Sequence, residues 1–299
     1  MLKTKTAQAI SIVIPTINRY EDLENTLSDL NKQVGVDFEI IVVDQTDNAQ
    51  RVEGANVRYV HVQEKSASHA RNVGLAEAKN NIVLFLDDDV RIMSQAFLFE
   101  HSKHYDEGQV SGVAGLVCGI NGKSQEQLMM LRENKRLGCD YFPENAEIEC
   151  RVSGGMSGNL SVRRDWAIEI GGMDERFERG AYREETDFCL RYTKKFGKFI
   201  FNPKAELIHI GNPEGGSHSW ENQIVQGAHH AFGGWYLMFR HLQLSLWPRY
   251  SYHMLRRFIL HRKLARNIHY LPKAVTVFLA SFIKAVYFSC QRPKLMSKG

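Results

Sequence analysis

Short apolar runs alternate with amphipathic stretches through the first two thirds of the chain. Residues 10–14 (ISIVI) predict a buried strand that stops at Pro15, and between Tyr20 and Gln33 the leucines 23, 27 and 30 recur at helical spacing. Residues 38–43 (FEIIVV) predict a second buried strand ending on Asp44, residues 57–62 a third, residues 67–79 a second helix, and residues 81–86 (NIVLFL) a fourth strand that runs into Asp87, Asp88 and Asp89. This alternation predicts an α/β fold with a mainly parallel sheet wound in right-handed βαβ units. Ligands of such sheets bind beyond the carboxyl ends of the strands. Polar residues gather at those ends: Thr16, Asn18 and Arg19 after the first strand, Asp44 after the second, the aspartate triplet after the fourth. Further strands are expected at 112–117, 157–162, 198–201 and 205–210, and a helix at 184–196. A Gly-rich turn at 211–217 (GNPEGGS) sets the expected boundary between a body, residues 1–215, and a C-terminal helical region, residues 216–299.

Composition excludes disorder: 43% of the 299 residues are hydrophobic, 24% are charged, and only 7 are proline. The formal charge of +4 changes the picture once it is split by position. Residues 1–221 carry 26 basic and all 34 acidic residues, whereas residues 222–299 carry 12 basic and no acidic ones, with 13 of the 31 aromatic residues. Such a segment expects a polyanionic partner, either nucleic acid or an anionic membrane surface. Five scattered cysteines with no CxxC pair indicate neither a disulfide framework nor a cysteine zinc site, and fit a reducing cytoplasm. The N-terminal apolar run is too short for the core of a secretory signal. No uninterrupted stretch reaches the roughly 18 apolar residues of a spanning helix; the nearest, 274–290, is broken by Lys284.

Three consecutive aspartates raise one another's pKa unless a positive charge sits among them. A hard divalent cation, Mg²⁺ or Mn²⁺, meets that need with one or two carboxylates plus phosphate oxygens. The competing reading is a solvated turn that caps a helix over 94–107.

Taken in order, SIVIPTINR, VVDQTDN, ARNVGLAEA, VLFLDDD, GNLSVRR and REETDFCLR resemble the signature of the family 2 glycosyltransferases, which have the GT-A fold. The resemblance covers about residues 10–210 and rests on the order of several motifs. It implies a nucleotide-sugar half over about 10–118, an acceptor half over about 119–215, and inverting transfer from a nucleoside-diphosphate sugar to a hydroxyl. Pro15, Thr16, Asn18 and Arg19 would line the donor site, with Asp44 on the base and Arg71 on the nucleotide. Asp87 would contact the ribose, Asp88 would lie between, and Asp89 would bind the cation, with His209 as a further metal or diphosphate ligand. In REETDFCLR the resemblance implies a carboxylate base, Glu185 or Glu184, where relatives commonly carry Asp. Gly155, Asn159 and Trp220 fall on the acceptor side. A catalytically silent nucleotide-sugar-binding or scaffold protein of the same fold is the alternative, and nucleotidyl transfer lacks a lysine-bearing Gly-rich loop after the first strand.

The C-terminal region completes the expectation. Arg256, Arg257, Arg262, Lys263 and Arg266 are expected on one helix among apolar residues. Farther on, Lys273 and Lys284 fall opposite Val275, Phe278, Leu279, Phe282 and Val286. A basic, aromatic-rich amphipathic helix predicts a membrane interface. With no nucleic-acid-binding motif beside it, nucleic acid is disfavoured. The expected setting is the cytoplasm, peripheral on the inner face of the cell membrane, with a lipid-linked or saccharide acceptor in surface polysaccharide or glycolipid synthesis.

Overall fold

The computed structural model describes residues 7–51, 54, 56–105, 110–120, 147–179, 182–211, 225 and 228–296. Strands β1 (Ile10–Thr16), β2 (Phe38–Asp44), β3 (Val57–His61) and β4 (Ile82–Leu86) pair in parallel in the order β3-β2-β1-β4. Helices α1 (Tyr20–Leu30) and α2 (Ala67–Glu77) supply the crossovers. Every residue of β4 is buried, as both faces of the sheet are covered. Ile12, Ile14, Val42, Leu84 and Leu86 face one core, while Val13, Ile41, Val43, Val83 and Phe85 face the other, following the strand period of two. Helix α2 lies so close to β1 that a Cβ on Gly74 would stand 2.2 Å from Val13 Cγ1. Glycine at that helical position is therefore a packing requirement.

Beyond β4 the sheet becomes mixed. Strand β8 (Asn159–Arg163) pairs antiparallel to both β4 and β6 (Gly112–Gly119), and β9 (Phe199–His209) runs parallel to β6. The two strands expected at 198–201 and 205–210 are one strand whose register against β6 shifts after Gly115. Pro203 falls at that shift and cannot donate to the ladder. Two short strands, β5 (Val90–Arg91) and β7 (Cys150–Val152), pair antiparallel to β9. The helix expected at 94–107 is only α3 (Phe97–Ser102), so the aspartate triplet enters a strand and does not cap a helix. Helix α4 (Arg164–Glu169) follows β8, and α5 (Glu184–Phe196) spans the expected residues. Trp166 of α4 stacks on Phe196 at 4.5 Å, both rings partly buried against the edge of the core.

The C-terminal region is helical: α6 (Ala228–His241), α7 (Trp247–Phe258), α8 (Arg262–Ala265) and α9 (Leu271–Ser289). The basic cluster expected on one helix is divided between α7 and α8, with His261 accepting from the Leu264 N–H to start the second. These helices are fastened to the body. Tyr236 donates to Asp174 at 2.8 Å, His241 meets Asp187 at 2.6 Å, and Phe177 of the body joins the core of Phe232, Tyr236, Tyr250 and Met254. After α9 the chain returns, with the Lys294 N–H on Asp174 at 2.9 Å and the Met296 N–H on the Gly171 carbonyl at 2.9 Å. The Gly-rich turn proposed as a boundary lies, apart from Gly211, outside the described residues.

Candidate active site

A cleft opens at the carboxyl ends of β1 and β4, as a parallel sheet requires. One wall is acidic. Asp87, Asp88 and Asp89 leave β4, and the short pairing of β5 with β9 sets Val90 opposite His209. That register brings His209 Nε2 to 3.3 Å from Asp89 Oδ1. Asp87, Asp89 and His209 each present a ligand atom within 4.8 Å of the others. Arg19 supplies positive charge among the acids, with Nη1 2.7 Å from Asp89 Oδ2 and 3.3 Å from Asp88 Oδ1. Asp89 Oδ2 is nevertheless buried without a properly directed hydrogen bond. Thr16 Oγ1 donates to Asp88 at 2.7 Å.

These groups shift one another strongly. Burial, together with neighbouring Asp89, pushes the Asp88 carboxyl up to about 7 against the pull of Thr16 and Arg19. Burial also acts to raise Asp89, but His209 and Arg19 outweigh it and hold it below the usual carboxylate range. The hydrogen bond to Asp89 lifts His209 to about 9. Two carboxylates, an imidazole and an under-satisfied buried oxygen fit a divalent cation such as Mn²⁺ or Mg²⁺.

The facing wall is the first turn of α5, entered through Arg183 in the left-handed region at φ 74°. Its three acids have three different environments. Glu184, 3% exposed, is locked to Arg71 and Ser68, and burial lifts it to about 7 despite both partners. Arg71 also reaches Asp87 at 2.9 Å and so ties the two walls together. Asp187 is turned away from the cleft; burial alone would raise it, yet Arg191 and His241 hold it at about 2. Glu185 lines the cleft half-buried, accepts no side-chain hydrogen bond from another described residue, and is raised by burial.

The cleft therefore gathers Pro15, Thr16, Arg19, Arg71, Asp87, Asp88, Asp89, Glu184, Glu185 and His209. Four other expected residues stand elsewhere. Asn18 is exposed in the left-handed region at φ 55°, its N–H on Thr46 Oγ1. Asp44 is fully buried, and its carboxylate already accepts from the Tyr20 and Tyr59 hydroxyls and the Thr46 N–H. Asn159 is a core bridge, donating to the Leu116 and Ala205 carbonyls at 3.0 and 2.9 Å and facing His101 at 2.9 Å. Gly155 packs against Ala114 and Leu160. Trp220 lies outside the described residues.

Of the Gly-rich segment 153–159 (SGGMSGN), expected to face the acceptor, Met156, Ser157 and Gly158 line the cleft; sequence reading passed over Gln45 and Arg179, both also on it. Gln45 is 4% exposed, and its Oε1 is buried with no hydrogen-bond partner among the described residues. Its place directly after Asp44 was the available signal: the last side chain of a strand and the next one point to opposite sides. Arg179 carried no motif; only the bridge between Ser66 and Arg179 places it on the rim.

Comparison with known proteins agrees with this architecture. The chain is 24% identical over 231 residues to an uncharacterized protein of Sinorhizobium fredii, covering 67% of this chain and 24% of that one. It is 29% identical over 129 residues to the poly(ribitol-phosphate) beta-N-acetylglucosaminyltransferase TarP of Staphylococcus aureus, covering 39% of this chain and 38% of that one. The matches thus span well under half the length of these curated relatives. Among solved structures, S. aureus TarS 1-349 in complex with UDP-GlcNAc superposes with a TM-score of 0.63 at 17% identity, covering 93% of this chain and 81% of that one. The mannosyltransferase PcManGT of Pyrobaculum calidifontis, in complex with GDP-Man and Mn²⁺, superposes at 0.56 with 15% identity, covering 96% and 79%. At such identities the likeness establishes the fold, which is GT-A. The sequence model of glycosyl transferase family 2 matches residues 11–171, more than half of the chain, and the protein belongs to that family.

Proposed function

We propose that the protein is a metal-dependent inverting glycosyltransferase that moves a sugar from a nucleoside-diphosphate donor to an acceptor hydroxyl. One observation carries this reading: Glu185, a carboxylate raised by burial that accepts no side-chain hydrogen bond from another described residue, faces the same cleft as the Asp87–Asp89–His209 cluster. Asp87, Asp89 and His209 would hold the cation, which when bound neutralises charge on the departing diphosphate. Arg19 and Arg71 would add fixed positive charge on the donor side. Glu185 takes the proton from the acceptor hydroxyl as that oxygen attacks the anomeric carbon. Glu184, committed to Arg71 and Ser68, fixes the wall on which the base stands. The Gln45 carbonyl oxygen, with no hydrogen-bond partner among the described residues, is free to accept from the ring N–H of a uracil or guanine base, whereas the buried Asp44 carboxylate already accepts three hydrogen bonds.

The nucleotide half is taken as about residues 10–118 and the acceptor half as about 119–215. We take the acceptor to be a saccharide or lipid-linked hydroxyl in surface polysaccharide or glycolipid synthesis, with the enzyme peripheral on the inner face of the cell membrane; TarP, a relative in sequence, is by name a poly(ribitol-phosphate) beta-N-acetylglucosaminyltransferase. A thermal-shift screen of UDP- and GDP-sugars tests the donor half of the reading. Ligand at a hundred times its Kd adds about 2.7 kcal/mol of stability. The melting temperature should rise only with nucleotide sugar and Mn²⁺ together, and not in Asp89→Ala. Equal shifts in metal-free buffer and in Asp89→Ala would sink the metal assignment.

A further inference from the structure

Helix α9 carries an uncovered apolar face. Its inner side, Ala274, Ser281 and Ala285, is buried, and Phe278 turns inward onto Trp235 at 5.2 Å and Phe258 at 6.1 Å. Its outer side exposes Val275, Leu279, Phe282, Ile283, Val286 and Tyr287, of which Ile283 is 67% and Tyr287 63% accessible. At 100° per residue these six fall on one continuous arc, with Lys273 and Lys284 along one edge. Lys284 bends back to Glu178 of the body at 3.1 Å, while Lys273 stays exposed at the other end of that edge, outside the apolar arc. Arg249, Arg256, Arg262, Lys263 and Arg266 are exposed on the neighbouring helices, and no acidic residue exists from residue 222 onward.

We propose that this face is a docking surface for an anionic lipid bilayer, with α9 lying in the plane of the interface. By length and composition the helical stretch Ile268–Ser289 is apolar enough to cross a membrane. Its tethers argue for the in-plane arrangement. Within α9, Phe278 and Ala285 pack into the core that Phe232 and Tyr236 of α6 share with Phe177 of the body; after it, the Lys294 and Met296 N–H groups bond to Asp174 and Gly171 of the body. The helix and the chain that leaves it therefore stay on the catalytic side, whereas a spanning helix of about 30 Å must leave its ends on opposite faces. The choice of occupant follows from charge. A two-fold-related second copy would press the patch against itself and bring two purely basic segments together. Anionic headgroups neutralise the same residues while the acyl boundary covers the apolar arc. This inference stands independently of the reaction performed in the cleft.

The test is co-sedimentation of the full chain with vesicles of phosphatidylcholine alone or mixed with phosphatidylglycerol. Binding is expected to the mixed vesicles, to weaken as salt shortens the screening length, and to be released by an alkaline carbonate wash. The Leu279→Glu/Ile283→Glu double variant changes only exposed positions, and its circular dichroism melt should match wild type. Losing two apolar anchors should lower the partition coefficient at least about 100-fold, about tenfold for each. Arg262→Glu/Lys263→Glu/Arg266→Glu should remove the preference for the anionic lipid. The proposal is overturned if the double variant sediments like wild type, if wild type ignores anionic vesicles, or if carbonate fails to release it. It is equally overturned if sedimentation velocity shows a wild-type dimer that the double variant loses while neither binds lipid.

Discussion

Replacing Gly233 by alanine probes how the C-terminal helices hold the catalytic wall. Gly233 lies in α6, where an exposed glycine-to-alanine change would stabilise a helix by about 1 kcal/mol. Here the new Cβ would stand 2.1 Å from the Tyr182 carbonyl oxygen. A relaxed carbon–oxygen contact is about 3.3 Å or longer, so α6 or the Tyr182–Arg183 segment must move by about 1 Å. Such overpacking costs about 1–3 kcal/mol, which cancels the helical gain and leaves a net loss of up to about 2 kcal/mol. A chain of this size should then melt up to roughly 8 °C lower. Tyr182 and Arg183 lead directly into Glu184 and Glu185, and a displacement of about 1 Å there can cost up to about 100-fold in turnover. Nucleotide affinity should change little, because the Asp87–Asp89–His209 cluster is held by β4, β5 and β9. Gly234→Ala is the internal control. Its Cβ would crowd the Met254 thioether end at 2.5 Å, a flexible neighbour that can give way, and would touch the Tyr182 ring at an ordinary 3.6 Å. Calorimetric melting and steady-state kinetics decide the matter. Gly233→Ala protein with wild-type stability and turnover would refute the packing of α6 against Tyr182.

Other outcomes follow from the same geometry. Asp187 is held at about 2 from an ordinary 3.8, so its stabilisation, about 2 kcal/mol, is present above pH 4 and lost as pH falls through its folded value. His241→Ala should erase part of that acid tolerance in pH-dependent denaturation; an unchanged acid limb would count against the pairing. Burial raises Glu185 above its ordinary 4.5, so transfer should decline on acidification at a pH higher than free glutamate implies, and full rate down to pH 4.5 in folded protein would contradict its role as base. Gln45→Ala should weaken UDP or GDP binding by roughly tenfold, a single hydrogen bond's worth, in calorimetric titration. An unaltered Kd would remove Gln45 from the base site.

Much of the fold was legible because buried parallel strands read as unbroken apolar runs, and β1, β2 and β4 begin within a residue of the positions that pattern predicts. The antiparallel insertion of β8 between β4 and β6 was not legible, since a short strand buried on both faces carries no mark of its direction. At the site, the acids after β4 and the pair opening α5 announced themselves by type and position. What the sequence could not separate was Glu184 from Glu185. Their difference arises from Arg71 and Ser68, more than a hundred residues away, which claim the first and leave the second facing the cleft. The different hydrogen-bonding states of Asp44 and Gln45 were hidden for a related reason. Two tyrosines from different elements, Tyr20 and Tyr59, satisfy the aspartate and leave the glutamine with an open acceptor.

The central claim is that one cleft joins a cation site at Asp89 to a base at Glu185. Release of nucleoside diphosphate from UDP- and GDP-sugars, with Mn²⁺ and an acceptor panel, tests it most directly in wild type, Asp89→Ala and Glu185→Gln. Wild type should release diphosphate only with the cation, and each variant should fall by at least about 100-fold, the weight of one general-base contribution, with melting temperatures preserved. Release that persists at wild-type rate in both variants, or that is indifferent to chelation of the metal, would contradict it.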